Sequence, residues 1–354
     1  MLAVDLAAIW LLRRYRGFVV WCGVVGCASA VAAVLGAVLG LRFENHFGVI
    51  RFWTYGIFLH GTALLTASAV LWRRRRPWLA CGAALAVLAL VAVAVDAFLI
   101  EPAWLDVSHW RIASPKIHKH LRIVVLADLQ ADCIGPFERH VLQQILDEKP
   151  DMILFAGDYL QSSWEQHQTL QREFRSIMSQ WASGDMSGKR IFAVRGNCDT
   201  DDWGNLFEGT GLDVTVGDAS RSFDLGDVQL TCLGVGDSFN PSLAIANAAP
   251  DRFHFVLGHA PNFALGKVDA DLLVTGHTHG GQVRLPWIGP LMTLSQVPRA
   301  WAAGLTELSG GRKLLVSRGA GMERSYAPRI RFLCRPELTV IDLVPEETES
   351  EGNH

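Results

Sequence analysis

The stretch VTGHTHGGQ, residues 274 to 282, places two histidines one residue apart between glycines. Imidazole is the commonest metal ligand in proteins, and side chains at positions i and i+2 of an extended chain point to the same side. His277 and His279 directly follow a short apolar run, so they stand where a buried strand would end. The pair predicts a metal site, and other parts of the chain must supply the remaining ligands.

Further donor residues stand at the ends of other short apolar runs, LRIVVLAD, DMILFAGD, RIFAVRGN and FHFVLGHA. A single Gly-Asp turn or a single histidine is common without a metal, so the ordered set carries the prediction. Ligand sites in open α/β sheets gather at the carboxyl ends of strands. Carboxylate, amide and imidazole donors together suit a pair of divalent ions that share a carboxylate. The donors are Asp128, Asp158, Asn197, His259, His277 and His279.

The region around these donors has the pattern of an α/β domain over residues 121 to 344. Short apolar runs alternate with helix-like stretches at residues 137 to 147 and 164 to 181, and residues 222 to 233 alternate like an exposed hairpin strand. We expect a linker over residues 101 to 120. The acidic residues 345 to 354 are expected to form a disordered tail.

The first 100 residues have the composition of a membrane region. Hydrophobic residues make up 50% of the 354-residue chain, and the mean hydropathy is +0.22. Residues 17 to 41 and 52 to 72 contain no Asp, Glu, Lys or Arg, and residues 77 to 100 contain only Asp96. Each run has the roughly 20 residues that a helix needs to cross a bilayer. We therefore predict about three transmembrane helices, with residues 1 to 12 as an interfacial helix and a fourth span as the alternative.

Basic residues predict the orientation of these helices, because Lys and Arg are enriched on the cytoplasmic side. The run RRRR, residues 73 to 76, lies between the second and third predicted spans, and Arg13, Arg14 and Arg16 precede the first. One span follows the RRRR run, so the chain after Ile100 is expected outside the cytoplasm.

The donor motifs, taken in order, resemble the calcineurin-like metallophosphoesterase superfamily over about residues 121 to 344. The matching segments are Asp128 in ADLQ, AGD at Asp158, RGNCD, GHAP at His259 and GHTHGGQ. The later segments VSRGAG and RIRFLCRPELTVIDL resemble its bacterial membrane-linked branch. The resemblance implies a four-layer α/β/β/α sandwich that hydrolyses phosphoesters, here following a transmembrane bundle in a bacterial inner membrane.

The resemblance also implies two sets of metal ligands that share Asp158. One divalent ion would take Asp128, Gln130, Asp158 and His279, and the other would take Asp158, Asn197, His259 and His277. The ions would be Mn²⁺, Mg²⁺, Fe²⁺ or Zn²⁺. Mn²⁺ is favoured, because the amide oxygen of Gln130 suits Mn²⁺ or Mg²⁺ better than Zn²⁺.

Two positions depart from the family pattern. Gln130 stands where the first motif usually has histidine, and Cys198 stands where a histidine often assists the leaving group. A thiol with an ordinary pKa is mostly protonated at neutral pH and donates hydrogen bonds weakly. Asp199 is expected to orient the loop of Asn197, with a turn-capping role as the alternative. The expected catalytic residues are Asp158, Asn197, Cys198 and Asp199.

The expected function is that of a membrane-anchored phosphohydrolase with a binuclear metal centre. Its expected partners are the membrane and a small-molecule or lipid phosphoester, cleaved at a phosphodiester or pyrophosphate bond; no nucleic acid is expected. One alternative is a catalytically weak metal-binding sensor attached to a membrane partner. Another is a cytoplasm-facing enzyme that resembles the UDP-diacylglucosamine hydrolases of lipid A assembly. The apolar residues 284 to 304 form either a lip that faces lipid beside the metals or an ordinary packed loop.

Overall fold

The chain forms two compact units in a computed structural model that describes residues 2 to 14, 18 to 42, 46 to 184, 189 to 217 and 219 to 346. The first unit comprises Met1–Ile100 with Arg324–Arg329, and the second comprises Glu101–Glu323 with Ile330–His354. The first is helical, and the second contains the strands and the predicted metal ligands.

Five α-helices form the part of the first unit that the structure describes. A π-helical turn, Gly56–Gly61, joins the third to the fourth, and the fifth begins at Pro77, whose fixed φ suits the first turn of a helix. The exposed arginines 73 to 76 form the turn between the fourth and fifth helices. The helices are α1 Leu2–Arg14, α2 Phe18–Arg42, α3 His46–Tyr55, α4 Thr62–Trp72 and α5 Pro77–Val95.

Two continuous helices of the described chain are long and apolar enough to cross a membrane. They are Phe47–Trp72 and Pro77–Ala103, which contain the second and third predicted spans. The first predicted span corresponds to a shorter apolar helix, Gly23–Val38, inside α2. The segment expected to be interfacial is α1, where buried Asp5 forms an ion pair with His60.

The described residues of the second unit form sixteen strands and three further helices, apart from short helical turns. The helices are α6 Pro136–Asp147, α7 Trp164–Ala182 and α8 Val235–Ser238. The strands are β1 Asp106–Ser114, β2 Leu121–Leu126, β3 Met152–Phe155, β4 Arg190–Val194, β5 Val214–Gly217, β6 Arg221–Asp224, β7 Val228–Cys232, β8 Ala244–Ile245, β9 Phe253–Leu257, β10 Lys267–Val268, β11 Leu272–Thr275, β12 Arg284–Leu285, β13 Gly289–Pro290, β14 Gly304–Glu307, β15 Lys313–Val316 and β16 Glu337–Pro345.

Most of these strands belong to two six-stranded sheets that pack face to face. The strand orders are β1-β16-β2-β3-β4-β5 and β14-β15-β11-β9-β7-β6. Strands β2 to β5 are parallel to one another, as are β7, β9, β11 and β15. Side chains such as Ile123 and Leu154 meet Phe255 and Val274 of the other sheet in one buried core.

Alternate residues of the same strands face outward, which explains why the strands are apolar along their whole length. Val124 and Ile153 pack with Ile145 of α6 and Phe174 of α7 on the outer face of the first sheet. The outer face of the second sheet is covered chiefly by short turns, such as Pro261–Leu265. Two stacked, largely parallel sheets agree with the expected mixed α/β fold, whereas short turns take the place of the expected second layer of helices.

The four quoted apolar runs and the run before His277 predicted strands β2, β3, β4, β9 and β11 correctly, and the two helix-like stretches are α6 and α7. The predicted linker, residues 101 to 120, needs correction. It contains β1, nine residues that pair in parallel with β16. This edge strand is only partly buried and lacks the continuous apolar run that marks the inner strands. The expected tail lies beyond β16, mostly outside the described residues.

A fully buried arginine fixes the loop that follows β15. The guanidinium of Arg331 donates to the main-chain carbonyls of Gly319, Gly321 and Cys334 at 3.0, 3.0 and 2.9 Å. Burial lowers the pKa of this group. Gly321 in turn donates its N–H to the carbonyl of Asp128 at 2.7 Å. Arg331 thus supports the loop that donates a hydrogen bond to the backbone of Asp128.

Replacing this arginine should destabilise the second unit. In Arg331→Met several buried carbonyls lose their donors, and we expect a loss of about 3 to 5 kcal/mol in the free energy of unfolding. Arg172→Met, on the exposed face of α7, should change it by less than about 0.5 kcal/mol. Denaturant titration of the full-length protein followed by circular dichroism measures both. Equal, small losses in the two variants would contradict the role of Arg331.

Candidate metal centre

All seven predicted donors lie just beyond the carboxyl ends of strands, in both sheets. Asp128 and Gln130 follow β2, and Asp158 follows β3. Because parallel strands within a sheet end at the same edge, and the two sheets pack together, these positions converge. The donors beyond the other three strands are Asn197 after β4, His259 after β9, and His277 and His279 after β11.

The closest group comprises Asp158, His259 and His277, whose ligand atoms lie within 4.8 Å of one another. Nε2 of His259 lies 3.5 Å from Oδ2 of Asp158 and 2.9 Å from Oδ1 of Asn197. Nδ1 of the same ring lies 2.8 Å from the carbonyl of Ala156, which can only accept a hydrogen bond. The Nδ1 proton therefore points to Ala156, and in the neutral ring the Nε2 lone pair faces two oxygens. Such convergence of acceptors fits a cation.

Two buried carboxylates face this imidazole. Asp128 and Asp158 are almost completely buried, and Oδ1 of Asp128 lies 3.7 Å from Nδ1 of His259. Burial, with the nearby Asp158, raises the pKa of Asp128 to about 8. Burial tends to lower the pKa of His259, but Asp158 and Asp128 together raise it. Burial and His259 lower the pKa of His277 to about 4, so this ring is neutral and able to bind a metal.

The backbone at most of these donors has the left-handed conformation. Such φ angles cost an ordinary residue of the order of 1 kcal/mol or more and are concentrated at functional sites. Gly157 has a φ of +88°, and a Cβ there would lie 2.5 Å from the amide nitrogen of Gly196. The turns of Asp158 and Asn197 can therefore approach only through a glycine. The left-handed donors are Asp128, Gln130, Asp158, His277 and His279, with φ of 50°, 38°, 57°, 68° and 49°.

Asp199 joins two of these turns. Its carboxylate accepts the N–H groups of Asp158, Tyr159 and Gly196, each at 2.8 Å. Burial and Asp158 raise its pKa to about 6, although the three N–H donors act in the opposite direction. These three hydrogen bonds are the contacts that Asp199 needs if it is to orient the Asn197 loop, as expected.

The two substituted positions contact each other beside Asp158. Nε2 of Gln130 lies 3.2 Å from Oδ2 of Asp158 and 3.4 Å from Sγ of Cys198. In this arrangement the amide nitrogen of Gln130 faces the carboxylate, so binding a metal through the amide oxygen requires the amide to turn over. Burial raises the pKa of the Cys198 thiol, and Asp158 and Glu323 raise it further. The thiol therefore stays protonated at physiological pH.

Sequence reasoning missed two residues at this site. Oε1 of Glu323 accepts a hydrogen bond from Nε2 of Gln161 at 2.6 Å, and its Oε2 lies 3.5 Å from Nε2 of Gln130. The backbone N–H of Glu323 donates to Oε1 of Gln282, the last residue of the two-histidine motif. Neither Glu323 nor Gln161 directly follows one of the apolar runs used for prediction, so the strand-end pattern could not find them.

Residues 121–281 match the calcineurin-like phosphoesterase family. Residues 121–281 therefore form a domain of this family, and the resemblance carried by the order of the motifs is confirmed. The chain is a hydrolase that acts on phosphoester bonds, and the family normally uses a binuclear centre of divalent metal ions.

Several bacterial proteins resemble most of this chain. Phosphodiesterase YaeI of Escherichia coli K12 is 29% identical over 262 residues, which cover 69% of this chain and 90% of that protein. The uncharacterized metallophosphoesterase YkuE of Bacillus subtilis is 27% identical over 268 residues, or 69% of this chain and 87% of that protein. The UDP-2,3-diacylglucosamine pyrophosphatase LpxG of Chlamydia muridarum is 24% identical over 324 residues, or 73% of this chain and 97% of that protein.

The raised pKa of Asp128 gives metal binding a pH dependence. Below about pH 8 the metal-free carboxyl holds a proton that a bound ion must displace, so affinity for Mn²⁺ should rise with pH by up to about tenfold per unit and level off above it. The same shift should make the metal-free fold less stable as pH rises from about 4 to about 8, because the folded state holds this proton more tightly than the unfolded state.

Titrating full-length metal-free protein with Mn²⁺, with free Mn²⁺ followed by paramagnetic resonance, measures this dependence. Asp128→Asn should bind more weakly and with a flatter pH profile, because the titrating group is gone. An affinity that does not change with pH in the unaltered protein would contradict the expectation.

Proposed function

We propose that this chain is a membrane-anchored phosphohydrolase that uses two divalent metal ions, preferably Mn²⁺, to cleave phosphodiester or pyrophosphate bonds in lipid or envelope precursors. The observation that carries the proposal is the convergence of metal-type donors from five strand ends in two sheets, with Asp158, His259 and His277 within 4.8 Å of one another. Mixed oxygen and nitrogen donors of this kind suit a pair of divalent ions.

The ligands divide into two sets that share Asp158. When bound, a pair of divalent ions supplies Lewis-acid activation of water and neutralises the charge of the phosphoryl oxygens. The protein keeps His259 in the required tautomer through the carbonyl of Ala156, and Asp199 holds the turn of Asp158. The sets are Asp128, Gln130, Asp158 and His279 for one ion, and Asp158, Asn197, His259 and His277 for the other.

Cys198 supports a preference among phosphoesters. Its thiol is protonated but is a weak hydrogen-bond donor, so it gives little help to a departing alkoxide. Substrates whose leaving group is already a weak base, such as a nucleotide phosphate, need the least help. We therefore favour phosphodiester and pyrophosphate bonds over simple alkyl monoesters.

The similarity to LpxG favours a second, narrower candidate. That protein is a UDP-2,3-diacylglucosamine pyrophosphatase, and the matched region includes 97% of it. Such a substrate joins acyl chains to a weakly basic nucleotide leaving group, which agrees with the preference argued from Cys198. This candidate requires the catalytic unit on the cytoplasmic side.

Membrane anchoring rests on the two long apolar helices and on the exposed arginines between them. Phe47–Trp72 and Pro77–Ala103 are long enough to cross a bilayer. Arginines 73 to 76 lie in the turn that joins them, and such residues are enriched on the cytoplasmic side. An odd number of crossings after this turn supports an inner-membrane protein with its catalytic unit outside the cytoplasm.

Hydrolysis should depend on Mn²⁺ and on His277. Full-length metal-free protein with added Mn²⁺ should hydrolyse bis(p-nitrophenyl) phosphate, and His277→Ala should lower kcat/KM by at least about 10²-fold, because no neighbouring group replaces this imidazole. His118→Ala serves as the control, since this exposed histidine precedes β2 and pairs with Asp227, which precedes β7, whereas the predicted donors follow their strands. Absence of Mn²⁺-dependent turnover in the unaltered protein would favour the sensor alternative.

Reporter fusions should establish the orientation. Because β16 extends to Pro345, the reporters are placed after His354, where they leave the sheet intact. Alkaline phosphatase, which works only outside the cytoplasm, should be active there, and a fluorescent protein that matures only inside should be dark. The reverse pattern would overturn the orientation and strengthen the cytoplasmic nucleotide-lipid candidate.

A further inference from the structure

Exposed apolar side chains of the second unit are concentrated in one short segment. Trp287 and Ile288, at the tip of the hairpin formed by β12 and β13, are 101% and 60% exposed. Leu291, Met292 and Leu294 follow and are exposed as well. Contiguous exposed apolar surface of this kind marks an interaction site. We call residues 286 to 294 the apolar rim.

The apolar rim borders the candidate metal centre. Nε2 of His277 lies 3.4 Å from the carbonyl oxygen of Leu294. At the other side of the hairpin, Gly281 of the two-histidine motif packs closely on Pro290. A Cβ added at Gly281 would lie only 2.5 Å from the Cβ of Pro290. The rim therefore forms part of the wall beside the donors, and a molecule bound to the rim would lie next to the proposed metal ions.

Hydrogen bonds join Glu101 to the base of the hairpin. The buried carboxylate of Glu101 accepts the N–H groups of Leu333, at 2.7 Å, and Cys334. Phe332, the neighbour of Leu333, accepts the N–H of Arg284 at 2.9 Å. Residues 332 to 334 thus connect Glu101 to the strand that begins the hairpin.

The thiol of Cys334 extends this connection to the donors. Its Sγ donates to the carbonyl of His279 at 3.3 Å. Leu333 beside it is exposed, as is Trp104, which lies just after the apolar helix. Glu101, the hairpin and the histidine motif are therefore held together by residues 332 to 334.

The charges around the rim complement an anionic lipid surface. Residues 282 to 304 contain two arginines, Arg284 and Arg299, and no acidic residue. The guanidinium of Arg335 lies 3.5 Å from the centre of the Trp104 ring. Tryptophan favours the headgroup region of a bilayer, and arginine is attracted by anionic lipid headgroups. Trp287 at the exposed tip of the hairpin, with arginines in the same segment, therefore suits the headgroup region of an anionic bilayer.

We propose that the apolar rim inserts into the headgroup region of the bilayer and presents the metal centre to phosphoesters of lipids at the membrane surface. This inference rests on the proposed membrane anchoring and hydrolysis, and it deepens them. The substrate is a lipid-linked phosphoester that is cleaved while its apolar chains remain in the membrane. Insertion of Trp287 and Ile288 sets the depth at which the donors meet the phosphate.

Kinetics on two substrates that share the p-nitrophenolate leaving group test whether the apolar rim is needed to cleave lipid substrates. Full-length protein with Mn²⁺ is reconstituted in vesicles of phosphatidylcholine and phosphatidylglycerol that contain hexadecyl p-nitrophenyl phosphate. We expect the double variant Trp287→Ser, Ile288→Ser to cleave this lipid at least about tenfold more slowly. Soluble bis(p-nitrophenyl) phosphate, added to the same vesicles, should be cleaved within about twofold of the unaltered rate.

Leu265→Ser is the matched control, because Leu265 is an exposed leucine of the same unit outside the rim. It should leave both rates unchanged. Equal rates of the double variant and the unaltered protein on the vesicle-borne lipid would overturn the inference. An equal loss on both substrates would also overturn it, since the rim would then serve the metal centre itself rather than the membrane.

A second measurement does not depend on activity. Trp287→p-benzoylphenylalanine in the same vesicles should form lipid adducts on irradiation, detected by mass spectrometry of the peptide that contains residue 287. Arg172→p-benzoylphenylalanine, on exposed α7, should form none. Adducts without hydrolysis of either substrate would support the inference and refute the proposed hydrolysis. Absence of lipid adducts at residue 287, or adducts to a second copy of the chain, would overturn the inference.

Discussion

Two buried carboxylates that face the same imidazole impose the constraint on which the site depends. Asp128 and Asp158 lie almost without solvent on either side of His259. Ionised carboxylates so close together and so deeply buried repel each other, and a positive charge must compensate them. In the metal-free protein a proton on Asp128 can serve, because burial and the nearby Asp158 raise the pKa of this carboxyl to about 8. Divalent ions satisfy the same requirement with more charge and with the coordination that the donors offer.

The fold holds these unfavourable neighbours in place by anchoring each to a different strand. The inner strands are buried on both faces, so their ends cannot move apart without exposing apolar surface. Five donors just beyond the strands adopt strained left-handed backbone angles. Asp199 and Arg331 then hold the turns through main-chain hydrogen bonds. The stability of the two sheets thus offsets the free-energy cost of the buried carboxylates and of the strained backbone at the site.

The sequence revealed the inner strands and their donors because the same physical fact produces both. A strand with two covered faces is a continuous apolar run, and its end is marked by the first polar residue, such as Asp128 or Asp158. Edge strands carry no such signal, so the sequence predicts only a linker where β1 lies. Glu323 and Gln161 reach the site through loop geometry, which no local pattern encodes. The thin outer layer of the second sheet consists of short turns that have no helical period.

The substitutions at positions 130 and 198 change the character of the site more than its shape. Where the family pattern has histidines, the chain has an amide and a thiol that contact each other beside Asp158. Glu323 approaches the same amide and adds a carboxylate that the usual motifs do not include. Loss of imidazole nitrogen and gain of oxygen shift the donor set towards the ligands that Mn²⁺ and Mg²⁺ prefer. Under the proposed ligand sets, the ion beside Asp128 and Gln130 would have mainly oxygen donors. The ion beside His259 and His277 would keep nitrogen donors, so the two ions would meet unequal surroundings.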